Sequence, residues 1–401
     1  MAQRDIFIDL PSSAYIHIPF CRRRCFYCDF PVSVIGDRLR GETSGTISKY
    51  VEVLCQEIDI FPVLSQSLET IFFGGGTPSL LSVEQVQQIL TVLKQNFDIS
   101  PGAEISMEVD PGTFDLAHLQ GLCDAGINRV SLGVQAFDAK LLQACGRSHS
   151  LADIFTAVDL IHTCEIPEFS IDLISGLPYQ TLDGWQESLE KAVAIAPTHI
   201  SIYDLTVEPG TAFGRYYKPG TTPLPTDEMT VKMYQMAQQI LTHAGYEHYE
   251  ISNYAKRGHQ CRHNRVYWEN RPYYGFGMGA ASYVEGKRFT RPRKTKEYYQ
   301  WVEDGCVIDC EATSPDENLL ETLMLGLRLA EGISLGVLEK QFGEEKVEEV
   351  KKYCQPFFDR GWVEIAGGRL RLSDPDGFLF SNVVLASLFS ELGVNEEYEG
   401  I

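Results

Sequence analysis

Cys21, Cys25 and Cys28 stand together in IHIPFCRRRCFYCDF, with the spacing C-x3-C-x2-C. In a reducing compartment, closely spaced thiols favour metal binding or catalysis over crosslinks. Zinc sites usually pair two C-x2-C hooks, and the sequence has no second hook of that kind. Cys306 and Cys310 form a C-x3-C pair far along the chain and are read as structural rather than metal-binding. Three thiolates without a fourth suit a [4Fe–4S] cluster with one iron left open for a further ligand.

Other groups could serve a ligand at the same place. Gly74-Gly75-Gly76-Thr77-Pro78 allows close backbone approach and offers N–H and C=O groups. Glu108, Gln135, Arg147 and Asp172 each fall at or just beyond the end of an apolar run, where barrels and open sheets bind ligands. His263 lies beside Tyr267 and Trp268; an imidazole next to large aromatics could meet a heme iron and its macrocycle. Cys261 is an alternative thiolate for that role. His17 and Pro19 read as structural. Gly275, Gly277 and Gly279 follow no βα unit, so close backbone packing is expected there rather than a dinucleotide site. Cys55, Cys123, Cys145, Cys164 and Cys354 read as small buried hydrophobes.

The elements that must position these groups alternate. Strands are predicted over 14–20, 70–75, 104–110, 129–135, 169–175 and 199–205, rich in Ile, Val, Phe and Tyr. Helical patterns lie between them, including 83–97 and a stretch after Thr181 that ends before Pro197. Six such units predict a parallel α/β sheet, either a partial barrel or a doubly wound sheet. A further helix ends at Gly245, and 253–293 shows no clear helical period. From Pro315 three helices precede a Gly-Gly hairpin, a winged-helix-like pattern.

The 401 residues carry 55 Asp plus Glu against 34 Lys plus Arg, a net charge of −21. A chain this acidic is repelled by nucleic-acid phosphates and anionic membranes, so no nucleic-acid partner is expected. The mixed EEKVEEVKK run (344–352) argues against the C-terminal unit as a nucleic-acid reader. The charged N-terminus has no apolar stretch of signal-peptide type, and no run approaches the roughly 20 apolar residues of a membrane span. A cytoplasmic protein is expected.

C-x3-C-x2-C after the first strand resembles the signature of the radical S-adenosylmethionine (SAM) superfamily. The order of GGGTP, EVDP, RVSLGVQAF, GRSHS and DLISGLP is similar to the branch holding oxygen-independent coproporphyrinogen III oxidase and the HemW heme chaperones. The resemblance implies a partial (β/α)6 barrel with a C-terminal winged-helix-like α+β domain. It divides the chain into a core (1–210), an extension with the heme motif (211–312) and the C-terminal domain (313–401). It also implies that Cys21, Cys25 and Cys28 hold a cluster whose open iron is chelated by SAM, from which one electron yields a 5′-deoxyadenosyl radical. Tyr15, Gly75 and Glu108 correspond to residues for one SAM. Tyr27, Gly76, Thr77, Gln135, Arg147, Asp172 and more loosely Thr206 correspond to residues for a second.

Within that branch, the oxidase has a fourth cysteine where this chain has Phe30, and a longer segment ahead of its cluster motif. Residues 263–268 fit H-N-x-x-Y-W, the motif associated with heme in the chaperones. The resemblance therefore implies heme as cargo, His263 as its contact, and hemoprotein acceptors, membrane respiratory proteins among them. An electron donor is implied if SAM is cleaved, and a homodimer is an open expectation. The enzymatic alternative is decarboxylation of coproporphyrinogen III to protoporphyrinogen IX, or another radical SAM reaction on a porphyrin.

Overall fold

A computed structural model describes residues 10–36, 41–62 and 67–392. The first nine residues, read above for targeting, and the last nine of the C-terminal unit lie outside the described residues. No helix among the described residues is long and apolar enough to cross a membrane.

Six parallel strands follow one another in sequence order: β1 (Ser13–Ile18), β2 (Leu68–Gly75), β3 (Ile99–Val109), β4 (Arg129–Gln135), β5 (Glu168–Ser175) and β6 (His199–Asp204). The sheet grows at both edges. Beyond β6 it takes on the antiparallel β7 (Glu247–Glu250) and β8 (Asn253–Ala255), with β8 adjacent to β6. On the other side β9 (Tyr274–Phe276) runs parallel to β1. This is the partial (β/α)6 barrel, extended to nine strands.

Alternation along the strands explains the layers. Ile16, Ile71, Phe73, Met107, Val130, Leu132, Ile171 and Ile200 are fully buried and belong to the main core. The intervening residues on the other face are mostly polar, among them Thr70, Glu104, Ser106, Glu108, Arg129, Ser131, Ser170, Asp172 and His199, with Phe72 an apolar exception. An apolar face under helices and a polar concave face make a scaffold with a site inside it. The helices α1 (Gly45–Ile60), α2 (Val83–Phe97), α3 (Leu116–Ala125), α4 (Ala139–Ala144), α5 (Leu151–Thr163) and α6 (Leu182–Ile195) return the chain between strands. Ser82–Gln85 and Ser150–Asp153 form capping boxes that start α2 and α5.

Residues 253–293 hold a short helix that no period announced, α7 (Arg262–Trp268). At seven residues it is too brief to show periodicity. After α8 (Thr295–Glu303), a second core gathers Leu319, Leu323, Leu338, Val347, Val350, Leu370 and Leu372. It is built from α9 (Pro315–Gly326), α10 (Leu335–Phe342), α11 (Glu344–Phe358) and the hairpin Val363–Ala366/Arg369–Leu372. A short strand, Ile333–Ser334, adds to the hairpin, giving the winged-helix-like arrangement.

One buried ion pair ties the extension to the barrel. Arg291 Nε donates to Glu57 Oε1 at 2.8 Å, with both side chains wholly buried. Glu57 Oε2 accepts from Gly277 N (2.8 Å) and from Tyr298 Oη (2.7 Å). The guanidinium also lies 4.8 Å from the Phe289 ring centre. Removing one member of a buried pair leaves the other charge uncompensated. Glu57→Gln should therefore lower unfolding stability by about 3–5 kcal/mol. Lys49→Ala, which breaks the exposed Lys49–Glu52 pair, should change it by less than about 1 kcal/mol. Urea denaturation of the two variants measures the difference, and equal midpoints would refute it.

Candidate functional site

The cysteine loop leaves the barrel at the end of β1. Phe20–Cys21 pairs in parallel with Ser33–Val34, which closes the loop at its base. Phe26 N–H donates to Cys145 O and Phe26 O accepts from Phe213 N–H, both at 2.9 Å. Arg22 reaches Gly112 O at 2.7 Å. So held, Cys21, Cys25 and Cys28 line one cavity of about 430 Å³ at the C-terminal ends of the strands. All three are free thiols, and among the described residues no three His, Cys, Asp or Glu side chains converge on a single ion. Thiols spread around a cavity suit a multi-iron cluster, whose irons each take an outward ligand. Burial pushes the Cys21 thiol up to about 12 and raises that of Cys28, so a metal would have to displace their protons.

The glycine turn lies against the loop. Gly76 N–H donates to Ile18 O (2.8 Å) and Thr77 N–H to Phe20 O (2.7 Å). A Cβ on Gly76 would stand 2.7–2.9 Å from Phe20 O, Ile18 O and Phe20 N, all backbone atoms that cannot move aside. Gly75 has φ +111, and a Cβ there would strike the His17 ring. Both positions therefore require glycine.

Acids fill the far wall. Glu108 accepts from Gly75 N–H at 2.9 Å. Burial, reinforced by Asp172 and Asp110 and only partly offset by that hydrogen bond, lifts its carboxyl to about 8. Asp172 is lifted to about 6 by burial, although Ser131 Oγ donates to both its oxygens. A cationic ligand would relieve both shifts. Arg147 balances the acids: it pairs with Asp110 and its Nη1 lies 3.4 Å from Cys25 Sγ. Tyr27, Gln135 and Thr206 also line the cavity. Gln135 has φ +66 at a register shift in β4, the kind of strain that collects at functional sites.

Two of the residues singled out by sequence are elsewhere. Tyr15 packs against Phe72, and its hydroxyl pairs with His17 Nδ1 at 3.0 Å. His17 also reaches Pro31 O, so it braces the loop. His263 sits on α7, which closes the opposite end of the barrel. It is fully buried, stacked on Phe72 with ring centres 5.3 Å apart. Nδ1 pairs with Thr70 Oγ1 (2.7 Å) and Nε2 with Tyr267 Oη (2.8 Å). Burial lowers its pKa to about 3. Cys261 lies beside it, donating to Glu104 at 3.6 Å, its thiol pushed up to about 12 by burial. The glycines after β9 pack behind the loop: a Cβ on Gly277 would meet His17 O, and one on Gly279 would meet Pro31.

Sequence reasoning passed over Asp110, Tyr203 and Asp204, which line the cavity. Each sits within a residue of a strand's C-terminal end, the rule that found Glu108 and would have found them.

Residues 15–192 match the Radical SAM superfamily and residues 313–379 the HemN C-terminal domain. The chain is 48% identical to the heme chaperone HemW of Synechocystis, over 96% of this chain and 97% of that one. It is 34% identical to the heme chaperone HemW of Bacillus subtilis, over 95% and 100%. The coproporphyrinogen III oxidase HemN from Escherichia coli shares the fold, with a TM-score of 0.80 over 95% of this chain and 90% of that one, at 23% identity. Superfamily membership implies SAM and a [4Fe–4S] cluster. Because the likeness to both chaperones runs nearly end to end, it is not that of a shared module: the chain belongs to the HemW family of the radical SAM superfamily.

Proposed function

We propose that this protein is a heme chaperone that binds heme as cargo and passes it to hemoproteins, membrane respiratory proteins among them. The observation that carries this reading is the 48% identity to a heme chaperone along nearly the whole chain. Its three parts are the core (1–210), the extension (211–312) and the C-terminal domain (313–401). It works in the cytoplasm and meets membranes only through its acceptors.

The residues of the cavity fit the cofactors of the superfamily. Cys21, Cys25 and Cys28 would hold the cluster. When bound, the cluster and SAM together supply one-electron chemistry at an iron with an open position. Gly75 and Gly76 let the turn lie directly against β1 and bring bare backbone to the cavity wall, and Glu108 and Asp172 offer carboxylates to an ammonium or sulfonium. Arg147 holds Asp110 in place and keeps a positive charge beside the Cys25 thiol. Tyr27, Thr77, Gln135 and Thr206 complete the SAM wall, and Tyr15 supports it from the neighbouring layer. An electron donor is required if SAM is cleaved.

Phe30 separates this reading from the oxidase. It is exposed at the cavity mouth, where a fourth thiol would otherwise stand.

Three outcomes follow. After anaerobic reconstitution, Cys25→Ala should lose most of its bound iron while Cys55→Ala keeps it; equal iron by colorimetric assay would remove the cluster from this loop. Gly76→Ala should weaken SAM binding at least about tenfold in equilibrium dialysis, because its Cβ meets backbone on three sides. The reconstituted protein with SAM and coproporphyrinogen III should form no protoporphyrinogen, yet bind hemin saturably. Sustained turnover would make it an oxidase.

A further inference from the structure

The three thiols of the loop differ in what lies beside their sulfur. Cys21 lies beside the Thr77 hydroxyl, whose proton goes to Asp110 at 3.2 Å. Cys28 has the neutral N–H of Phe30, while Arg24 turns to the Cys28 carbonyl at 3.3 Å. Cys25 Sγ has a charged donor, Arg147 Nη1, at 3.4 Å. We infer that Arg147 acts on the cluster through Cys25: its guanidinium donates a charged hydrogen bond to that thiolate and so raises the reduction potential. This rests on the reading that Cys21, Cys25 and Cys28 hold a cluster.

The chain builds a place for this guanidinium. After α4, Gly146 at φ +74 turns the backbone so that Arg147 N–H closes back on Leu142 O at 3.0 Å. The Arg147 side chain is then 9% exposed. Its Nη2 donates to Gly133 O at 3.1 Å and pairs with Asp110. Gly133 leaves the space for that pair: a Cβ there would stand 2.8 Å from Asp110 Oδ1 and 3.1 Å from Arg147 Nη2. With Nη2 occupied by these two acceptors, Nη1 faces the sulfur.

A cysteine sulfur becomes more negative when the iron it binds is reduced. A donor on that sulfur therefore favours the reduced state, and cluster potentials follow net charge, hydrogen bonds to sulfur and solvent exposure. Charge-assisted hydrogen bonds are roughly twice as strong as neutral ones, so Arg147 outweighs the Phe30 N–H. Asp110 limits the effect, because a carboxylate beside the guanidinium cancels part of its field. The step so biased is the gain of one electron from a low-potential donor. No bond forms or breaks in it, and the guanidinium keeps its proton. The resemblance assigned Arg147 to a second SAM, whereas a contact with the sulfur acts whether or not SAM is present.

A dithionite titration of the reconstituted full chain without SAM, followed by the EPR signal of the reduced cluster, tests this. Arg147→Gln should make reduction about tenfold less favourable, a fall of about 59 mV for a one-electron couple. Arg147→Lys keeps the charge without the planar fork and should fall by less. Tyr203→Phe removes a hydroxyl from the same cavity and should leave the midpoint where it is. A midpoint does not depend on how much cluster is loaded, so poor assembly alone does not shift it. An unmoved or raised midpoint in Arg147→Gln, or an equal fall in Tyr203→Phe, would overturn the inference. If Arg147→Gln takes up no cluster, Arg147→Lys decides: a midpoint below wild type supports the inference and an unchanged one overturns it. A wild type that binds no iron would remove the cluster reading itself.

Discussion

Two backbones meet without side chains at the ends of β1 and β2, and the functional end of the molecule is organised around that contact. Ile18 and Phe20 accept hydrogen bonds from Gly76 and Thr77, so the glycine turn continues the parallel pairing past the last regular residue of each strand. The contact sets where the cysteine loop begins. It also points Gly75 N–H at Glu108, which fixes one acid of the far wall. Any Cβ at Gly76 would push the loop off the barrel, and with it the three thiols.

The concave face of the sheet carries a second constraint: its polar residues have to be satisfied without water at the closed end. Arg129 is buried between Glu104 and Glu168, with His259 O accepting from its guanidinium at 3.3 Å. Glu104 in turn accepts from the N–H groups of Arg262 and His263 at the start of α7. A buried charge costs far more alone than paired, so α7 is part of the sheet's electrostatics and not a loose cover. At the open end Arg147 pairs with Asp110, but the described residues give Glu108 and Asp172 no ion-pair partner. Glu108 and Asp172 are driven toward protonation instead, and they stand ready for a cation. One barrel thus holds a closed, neutralised end and an open, frustrated one.

Much of this was legible in the sequence because the strands repeat a simple rule. β4 has the bounds that its apolar run suggested, and Glu108 lies at the end of β3, whereas Asp172 lies inside β5 and still lines the cavity. What escaped was set by tertiary contact. A seven-residue helix leaves no period, so α7 read as irregular and His263 looked available to a ligand. Its engagement depends on Thr70, which is 193 residues away. Tyr15 was reached through the resemblance alone, and its hydroxyl pairs with His17 at 3.0 Å. The Glu57–Arg291 pair spans 234 residues and gave no local sign.

Net charge is an average, and binding is local. The balance of −21 argues against broad contact with polyanions, yet the three arginines between Cys21 and Cys25 stand in one exposed or half-exposed run. Screening confines exposed charges to about 8–10 Å at physiological salt, so distant acids do little to cancel them. The same loop therefore brings thiols and positive charge to one cavity, which Cys21, Cys25 and Cys28 line together with Arg22, Arg23 and Arg24, and Arg147 sets a further guanidinium 3.4 Å from Cys25 Sγ.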